Sequence, residues 1–383
     1  MPRVGRYRTR EYRVSGTLKS WVNAQSVGPP DSITSLERIY TSSCNDQTGS
    51  PVSDSPFSSS QHLGALTLDG TVITEGNRKY VYESYPSWSQ LADPTTLGPP
   101  NGWVLDLIAG TNPSRPVITP PEMLQNLIEL PSLLRQTFAF LANPRKRATF
   151  KHVADDYLAL KFGWMPFVED LSKLLDLQSY VIKRRKELSQ LYSGKGLRRR
   201  LRFGNQTTVE FFDATSYMEG TRKIRFDGLL ITKKESWGTA RWHPTAPPPF
   251  PPSDERMNSV ARNLVLGMTS EGLAKGLWAV IPWTWLLGWF TNVGKFTLAN
   301  SNTIPAVPSH LNFMSKATVT RTIGGGHPSG IAYHNLRYNG FLTRTRRTRV
   351  PGTAVALPGL SMPDLDIGRL SVLAALAVQR IKR

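Results

Sequence analysis

The chain is poor in cysteine and in acid. Cys44 is the only cysteine in 383 residues, which excludes an intrachain disulfide and the small oxidised scaffolds that depend on one. It lies in a Ser/Thr/Asn-rich stretch with no basic neighbour in sequence to activate it. Acidic residues number 28 against 47 Lys and Arg, and none occurs between Gly272 and Pro363. Long apolar runs are also missing. The most apolar stretch, Leu277 to Phe290, is fourteen residues interrupted by Pro282, short of the roughly 20 that span a bilayer. It reads as a buried core helix, and its four tryptophans leave interfacial membrane contact open. The basic N-terminal stretch has no apolar h-region, so no secretion signal is expected there.

Catalytic patterns are lacking as well. The histidines at 62, 152, 243, 310, 327 and 334 show no metal-ligand spacing. No HExxH, GxSxG or GxxxxGK[ST] occurs. The glycines at 324 to 326 precede His327-Pro328, not a phosphate-binding Lys-Ser, and read as a flexible turn. Asp155-Asp156 and Glu169-Asp170 are expected to cap helices or form ion pairs, His152 with Asp156 among them. Neither an enzyme, nor a metal, nor a cofactor is expected.

What remains is a strongly basic, otherwise ordinary globular composition: net charge +19, 39% hydrophobic and 10% aromatic residues. A field of that sign and size attracts polyanions. The charge is clustered. Nine cations fall between positions 183 and 202 (Lys183, Arg184, Arg185, Lys186, Lys195, Arg198, Arg199, Arg200 and Arg202), offset by Glu187 alone. Such density favours an anionic partner bound with release of counterions. A second group, Arg337, Arg344, Arg346, Arg347 and Arg349, accompanies Tyr333, Tyr338 and Phe341. Alternation puts Arg344 and Arg346 on one strand face and Arg347 and Arg349 on the other. Arginine among aromatics suits backbone contact with stacking on unpaired bases. An edge strand kept soluble by charge is the competing reading. Arg145, Lys146, Arg147 and Lys151 form a smaller group that could touch phosphate. The N-terminal Arg3, Arg6, Arg8, Arg10 and Arg13 could equally be a disordered arm.

Periodicity separates strand blocks from helical ones. Residues 1–120 read as strands and loops, with a hairpin at Asp69-Gly70 and a mobile Ser-rich loop over 41–60. Helical spacing begins after Pro121 and stops at Asn143-Pro144; a second, long kinked helix runs from Phe150 to about Tyr192, and its apolar face carries Leu160 and Val168. Strands return over Gly196–Trp242, with Asp227-Gly228 a further turn. A proline-rich connector, His243 to Pro252, precedes a helix capped near Ser253 that runs to about Asn300. Strands over Leu311–Arg349 and a C-terminal helix from Pro363 close the chain. The fold class expected is α+β: a discontinuous helical bundle (121–195, 253–302 and 361–383) joined to an elongated antiparallel β-sheet region (1–120, 196–252 and 303–360).

Three stretches resemble the maturation (A) proteins of the single-stranded RNA bacteriophages, the levivirus-like group. KHVADDYLALKFGWMPFVEDL, from Lys151, carries Phe162, Gly163, Trp164 and Pro166 with Asp170 behind them, similar to the family's FGWxP segment followed by an acid. LWAVIPWTWLLGWFTNVG, from Leu277, resembles the family's apolar helix in Trp278, Pro282 and Trp289, although Gly288 stands where the family often has an acid. LAALAVQRIKR has the family's apolar-then-basic ending. The resemblance implies a virion protein present in one copy, taking the place of a coat-protein dimer in the shell. Its helical part would face genomic RNA hairpins, and its β part would face outward toward a host pilus. Adsorption and genome entry would follow from that placement. A cellular RNA-binding protein associated with ribosomes, or a membrane-active protein using the Trp-rich stretch, are the alternatives.

Overall fold

The computed structural model describes residues 4–48, 55–86, 88, 90–117, 176–219, 222–248, 254–269, 293–300, 303–329 and 331–353, with scattered positions between 157 and 172 and between 371 and 375. Eleven strands join in one antiparallel sheet: β1 Val4–Trp21, β2 Ser32–Thr48, β3 Phe57–Leu63, β4 Leu66–Thr74, β5 Lys79–Tyr85, β6 Leu197–Glu219, β7 Arg222–Pro244, β8 Ala306–Ser329, β9 Ile331–His334, β10 Arg337–Gly340 and β11 Leu342–Pro351. Their order is β10-β4-β5-β1-β2-β3-β11-β8-β7-β6, with β9 against β4. Four short helices are traced among the described residues: α1 Trp103–Thr111, α2 Leu177–Leu191, α3 Asp254–Val265 and α4 Val293–Ala299.

This corrects the expected fold class. The described residues are mostly strand, and their helices run only seven to fifteen residues. They do not make a helical bundle joined to a sheet. Within the strand blocks the strands also run longer than expected, because the chain passes through glycines and turn dipeptides without turning. Asp69-Gly70 is a bulge inside β4, with the register shifting between Leu68 and Gly70. Burial of Leu66, Leu68, Val72 and Thr74 carries one apolar face straight through it. The hairpin turn comes later, at Glu75–Asn77, where the Asn77 N–H donates to the Thr74 carbonyl at 2.9 Å and Asn77 is left-handed (φ 56°). Asp227-Gly228 lies within β7 and the 324–326 glycines within β8. At Gly228 a Cβ would stand 2.4 Å from the Phe212 ring, so the glycine makes room for a cross-strand aromatic.

Other expectations change for similarly local reasons. Much of the Ser-rich 41–60 stretch is strand, in β2 and β3. Arg6, Arg8, Arg10 and Arg13 belong to β1, which pairs with β2 from Val4↔Thr48 to Ser20↔Ser32. Arg8 therefore faces Cys44, its Nη2 3.6 Å from the thiol sulfur. The α1 helix was not expected; Asn112-Pro113 ends it. The helix opening near Ser253 stops at Val265; residues 270–292 of the expected run to Asn300 lie outside the described residues. Gly267 takes a left-handed φ of 62°, and the Met268 N–H closes back on the Asn263 carbonyl at 2.9 Å. Leu160 and Val168, expected on a buried helix face, are 53% and 58% exposed.

The chain divides into two compact units. The first comprises Met1–Asn101, Leu201–Thr239 and His310–Gly352 and holds most of the sheet. Its core joins Leu68, Val72, Tyr82, Ile224, Phe226 and Leu336, with a neighbouring cluster around Tyr40, Leu66, Leu91 and Leu342. The second comprises Gly102–Arg200, Ala240–Ser309 and Thr353–Arg383. There α1 packs on α4 and α2 on α3. Trp242 is buried and donates its indole N–H to the Thr111 hydroxyl at 3.1 Å.

Candidate nucleic-acid interface

The second unit contains a cleft of about 650 Å³ built from three short pieces of chain. The first is the end of α1 and the turn behind it, Gly110 to Val117. The second is one face of α2, where Tyr180, Lys183, Arg184 and Glu187 recur at i, i+3, i+4 and i+7 and so share a side. The third is the start of β6, Arg198 to Arg200. The link from α2 to β6 reverses the chain through Gly194 (φ 81°) and Gly196 (φ 70°). Gly196 has no room for a side chain: a Cβ would lie 2.6 Å from the Trp242 carbonyl oxygen.

Six cations line the cleft, and they divide by task. Arg184 and Arg199 form its floor. Pro113 stops α1 and leaves a row of main-chain carbonyls without helical partners. The Arg199 Nη1 donates to the carbonyls of Thr111 (3.0 Å) and Asn112 (2.8 Å). Arg184 donates to those of Pro113 (2.9 Å) and Arg115 (2.7 Å). Cations at this end also meet the negative pole of the helix dipole. Both guanidiniums converge on one carboxylate: Arg184 Nη1 lies 3.3 Å from Glu187 Oε2, and Arg199 Nη2 donates to the same oxygen. Burial lowers the Arg184 pKa to about 10, and Arg199 and Arg115 push the same way while Glu187 resists. A guanidinium keeps its proton at any ordinary pH, so the shift registers how crowded with positive charge this floor is.

The other four, Arg115, Lys183, Arg198 and Arg200, are exposed along the rim. Among the described residues the only acid lining the cleft, Glu187, is already engaged by the floor. The arrangement is thus a concave, pre-shaped surface of one sign, with an aromatic ring, Tyr180, in its wall. It can hold phosphate oxygens at the rim and a planar group against the tyrosine.

The remaining cations of the 183–202 run point elsewhere. Arg185, Lys186 and Lys195 do not line the cleft, and Arg202 is exposed further along β6. The β11 arginines fall in the first unit, on a strand enclosed between β3 and β8, so this is not an edge strand. Arg344 is 7% exposed, pairs with Asp93 at 2.6 Å and donates to the Thr41 carbonyl. Arg347 donates to Gln61 Oε1 (3.0 Å) and Arg349 to the Ser55 carbonyl (2.7 Å). Arg346 is half-buried and Arg337 exposed on β10. Arg321 sits between the rings of Trp88 (4.4 Å) and Phe212 (5.1 Å), and burial lowers its pKa. Arg145, Lys146, Arg147, Lys151, Phe162, Gly163, Trp164, Pro166, Asp170, Trp278, Pro282 and Trp289 lie outside the described residues.

Sequence reasoning missed Arg115 and Tyr180. The Asn-Pro stop after an apolar run was a signal for the first, and helical spacing from Lys183 and Arg184 for the second. Among the described residues no group of three or more His, Cys, Asp or Glu could hold a metal, and no helix is long and apolar enough to cross a membrane. No protein-family model matches the sequence, and no curated protein matches it.

Proposed function

We propose that this chain binds single-stranded genomic RNA as the maturation and attachment protein of an RNA phage virion. In that role it would hold the genome while presenting itself to a host pilus. The observation that carries the RNA reading is the cleft between α1, α2 and β6: four exposed cations border a floor whose Glu187 carboxylate, the only one among its described residues, is already engaged by two arginines. Phosphate is the ligand such a surface favours, and each contact releases a counterion, so binding should weaken steeply with salt. The phage reading rests on the FGWMP and Trp-Pro-Trp stretches of the sequence.

Ultraviolet crosslinking of purified particles, followed by sequencing of the attached RNA and mapping of the crosslinked peptides, tests both parts. The expected result is a small set of genomic RNA sites joined to peptides containing Arg115 and residues 177–200. Crosslinks confined to other peptides would remove the cleft from the RNA reading. Co-sedimentation with host ribosomes in place of particles would replace the phage role by that of a cellular RNA-binding protein.

A further inference from the structure

Resting on the reading of the cleft as an RNA site, we infer that it selects an unpaired strand, one or two nucleotides at a time, and excludes the paired stem of a hairpin. Four features carry this. The first is size and shape. A concavity of about 650 Å³ is of the scale that encloses a small molecule. A paired stem is instead a convex rod, touched from outside along its shallow minor groove and its backbone. Cations ringing the mouth of a concavity close round a strand that enters it, whereas a rod that cannot enter meets only those on its near edge.

The second feature is the placing of charge. Arg198 and Arg200 flank Arg199 in β6 and are exposed where the strand borders the cleft, so a strand leaving the cavity passes their cations. The third is Tyr180, one helical turn from Lys183 and Arg184 on the same face of α2. Its ring offers a stacking platform that only an unstacked base can use. The fourth is rigidity. Arg184 and Arg199 are tied to four main-chain carbonyls and to Glu187, so the floor is set before any ligand arrives and binding spends little on ordering it.

The test compares two RNA probes with equal numbers of phosphates at one salt concentration, using the full chain. One is an unpaired oligoadenylate and the other a fully paired duplex. Fluorescence anisotropy should give at least tenfold tighter binding of the unpaired probe. Tyr180→Ala should weaken that probe about tenfold, the worth of one stacked base, with the duplex Kd and the salt slope unchanged. Tyr180→Trp should restore it, which separates stacking from a folding defect. Replacing Arg198 and Arg200 together by Ala should flatten the salt dependence for the unpaired probe by about 1.4 log units per log unit of salt. Equal affinity for the two probes, or equal losses for both in Tyr180→Ala, overturns strand selection and leaves RNA binding standing. Failure of the chain to bind either probe overturns the RNA reading itself, and strand selection with it.

Discussion

Replacing Glu187 by Gln isolates the charge balance of the cleft floor. Its carboxylate lies 3.3 Å from Arg184 Nη1 and accepts from Arg199 Nη2, and the three side chains are 21%, 7% and 16% exposed. At an effective dielectric near 20, one such contact is worth about 5 kcal/mol of gross attraction. Much of that is offset by the cost of taking the charges out of water. Removing one partner and leaving the others buried costs about 3 kcal/mol net. The glutamine keeps the shape and one acceptor, so the loss is electrostatic. Chemical denaturation should show this destabilisation, and hydrogen exchange should place it in peptides covering 177–200. The same change adds one unit of positive charge to the cleft. Added phosphate at constant ionic strength should therefore stabilise the variant more than the parent, because a ligand that binds only the folded state raises stability by mass action. Lower stability with a larger phosphate response is the expected pair. A variant as stable as the parent within about 0.5 kcal/mol, or one indifferent to phosphate, refutes the account of the floor.

Four further outcomes follow from the same geometry. Arg344→Met should lower stability by about 1 to 2 kcal/mol in denaturant titration, since the partly exposed Asp93 carboxylate and the Thr41 carbonyl lose a charged donor. Gly228→Ala should cost about 1 to 3 kcal/mol, because its Cβ would overlap a Phe212 ring already packed against Trp88 and Arg321; pairing it with Phe212→Ala should recover part of the loss. His62 donates through Nε2 to the Gly64 carbonyl and stacks on Tyr40, while its buried Nδ1 has no partner. Burial lowers its pKa, the Gly64 carbonyl resists, and Arg344 adds to the lowering. The fold thus favours the neutral ring. The stability this group contributes is present above its unfolded value near 6.5 and is lost as pH falls through that value toward the folded one, so His62→Phe should flatten the acid limb of a stability profile. Finally, Arg199→Lys should cost about 2 kcal/mol, whereas Arg198→Lys should leave stability within about 0.5 kcal/mol.

Much of the sheet was legible from alternation and β-branched content, as in TTVEFF and KIRFDGLLIT, which fall in β6 and β7. Strand lengths were not. Asp69-Gly70, Asp227-Gly228 and Gly324–Gly326 carry the local chemistry of turns, but a bulge or a facing ring uses glycine for a different reason, and only the neighbouring strand decides between them. Each glycine read as a turn shortened the expected strands. The basic run over 183–202 was visible as composition, yet its division was hidden. Position 184 faces the carbonyls of a turn some seventy residues earlier in the chain, and nothing local to α2 announces that turn. Arg115 was passed over for the same reason, as a single cation that gains meaning from Lys183 and Arg198 across the cleft.

That division follows from guanidinium chemistry. A turn that ends a helix against proline exposes several carbonyls at once, and water would have to enter the unit to satisfy them. One planar fork with five donors can span two such oxygens and still reach a carboxylate; an ammonium, as a compact point charge, cannot. Arg184 and Arg199 do this at the floor, and Arg344 does the same for Thr41 and Asp93 in the sheet. The net charge of +19 therefore overstates what is offered to a partner, because some of its strongest donors are consumed in holding the chain together. What a polyanion meets first is the exposed rim, Arg115, Lys183, Arg198 and Arg200, where a lysine serves nearly as well as an arginine. If substitution to lysine were tolerated alike at positions 198 and 199, floor and rim would be one undifferentiated basic patch, and the cleft would lose its claim to a defined shape.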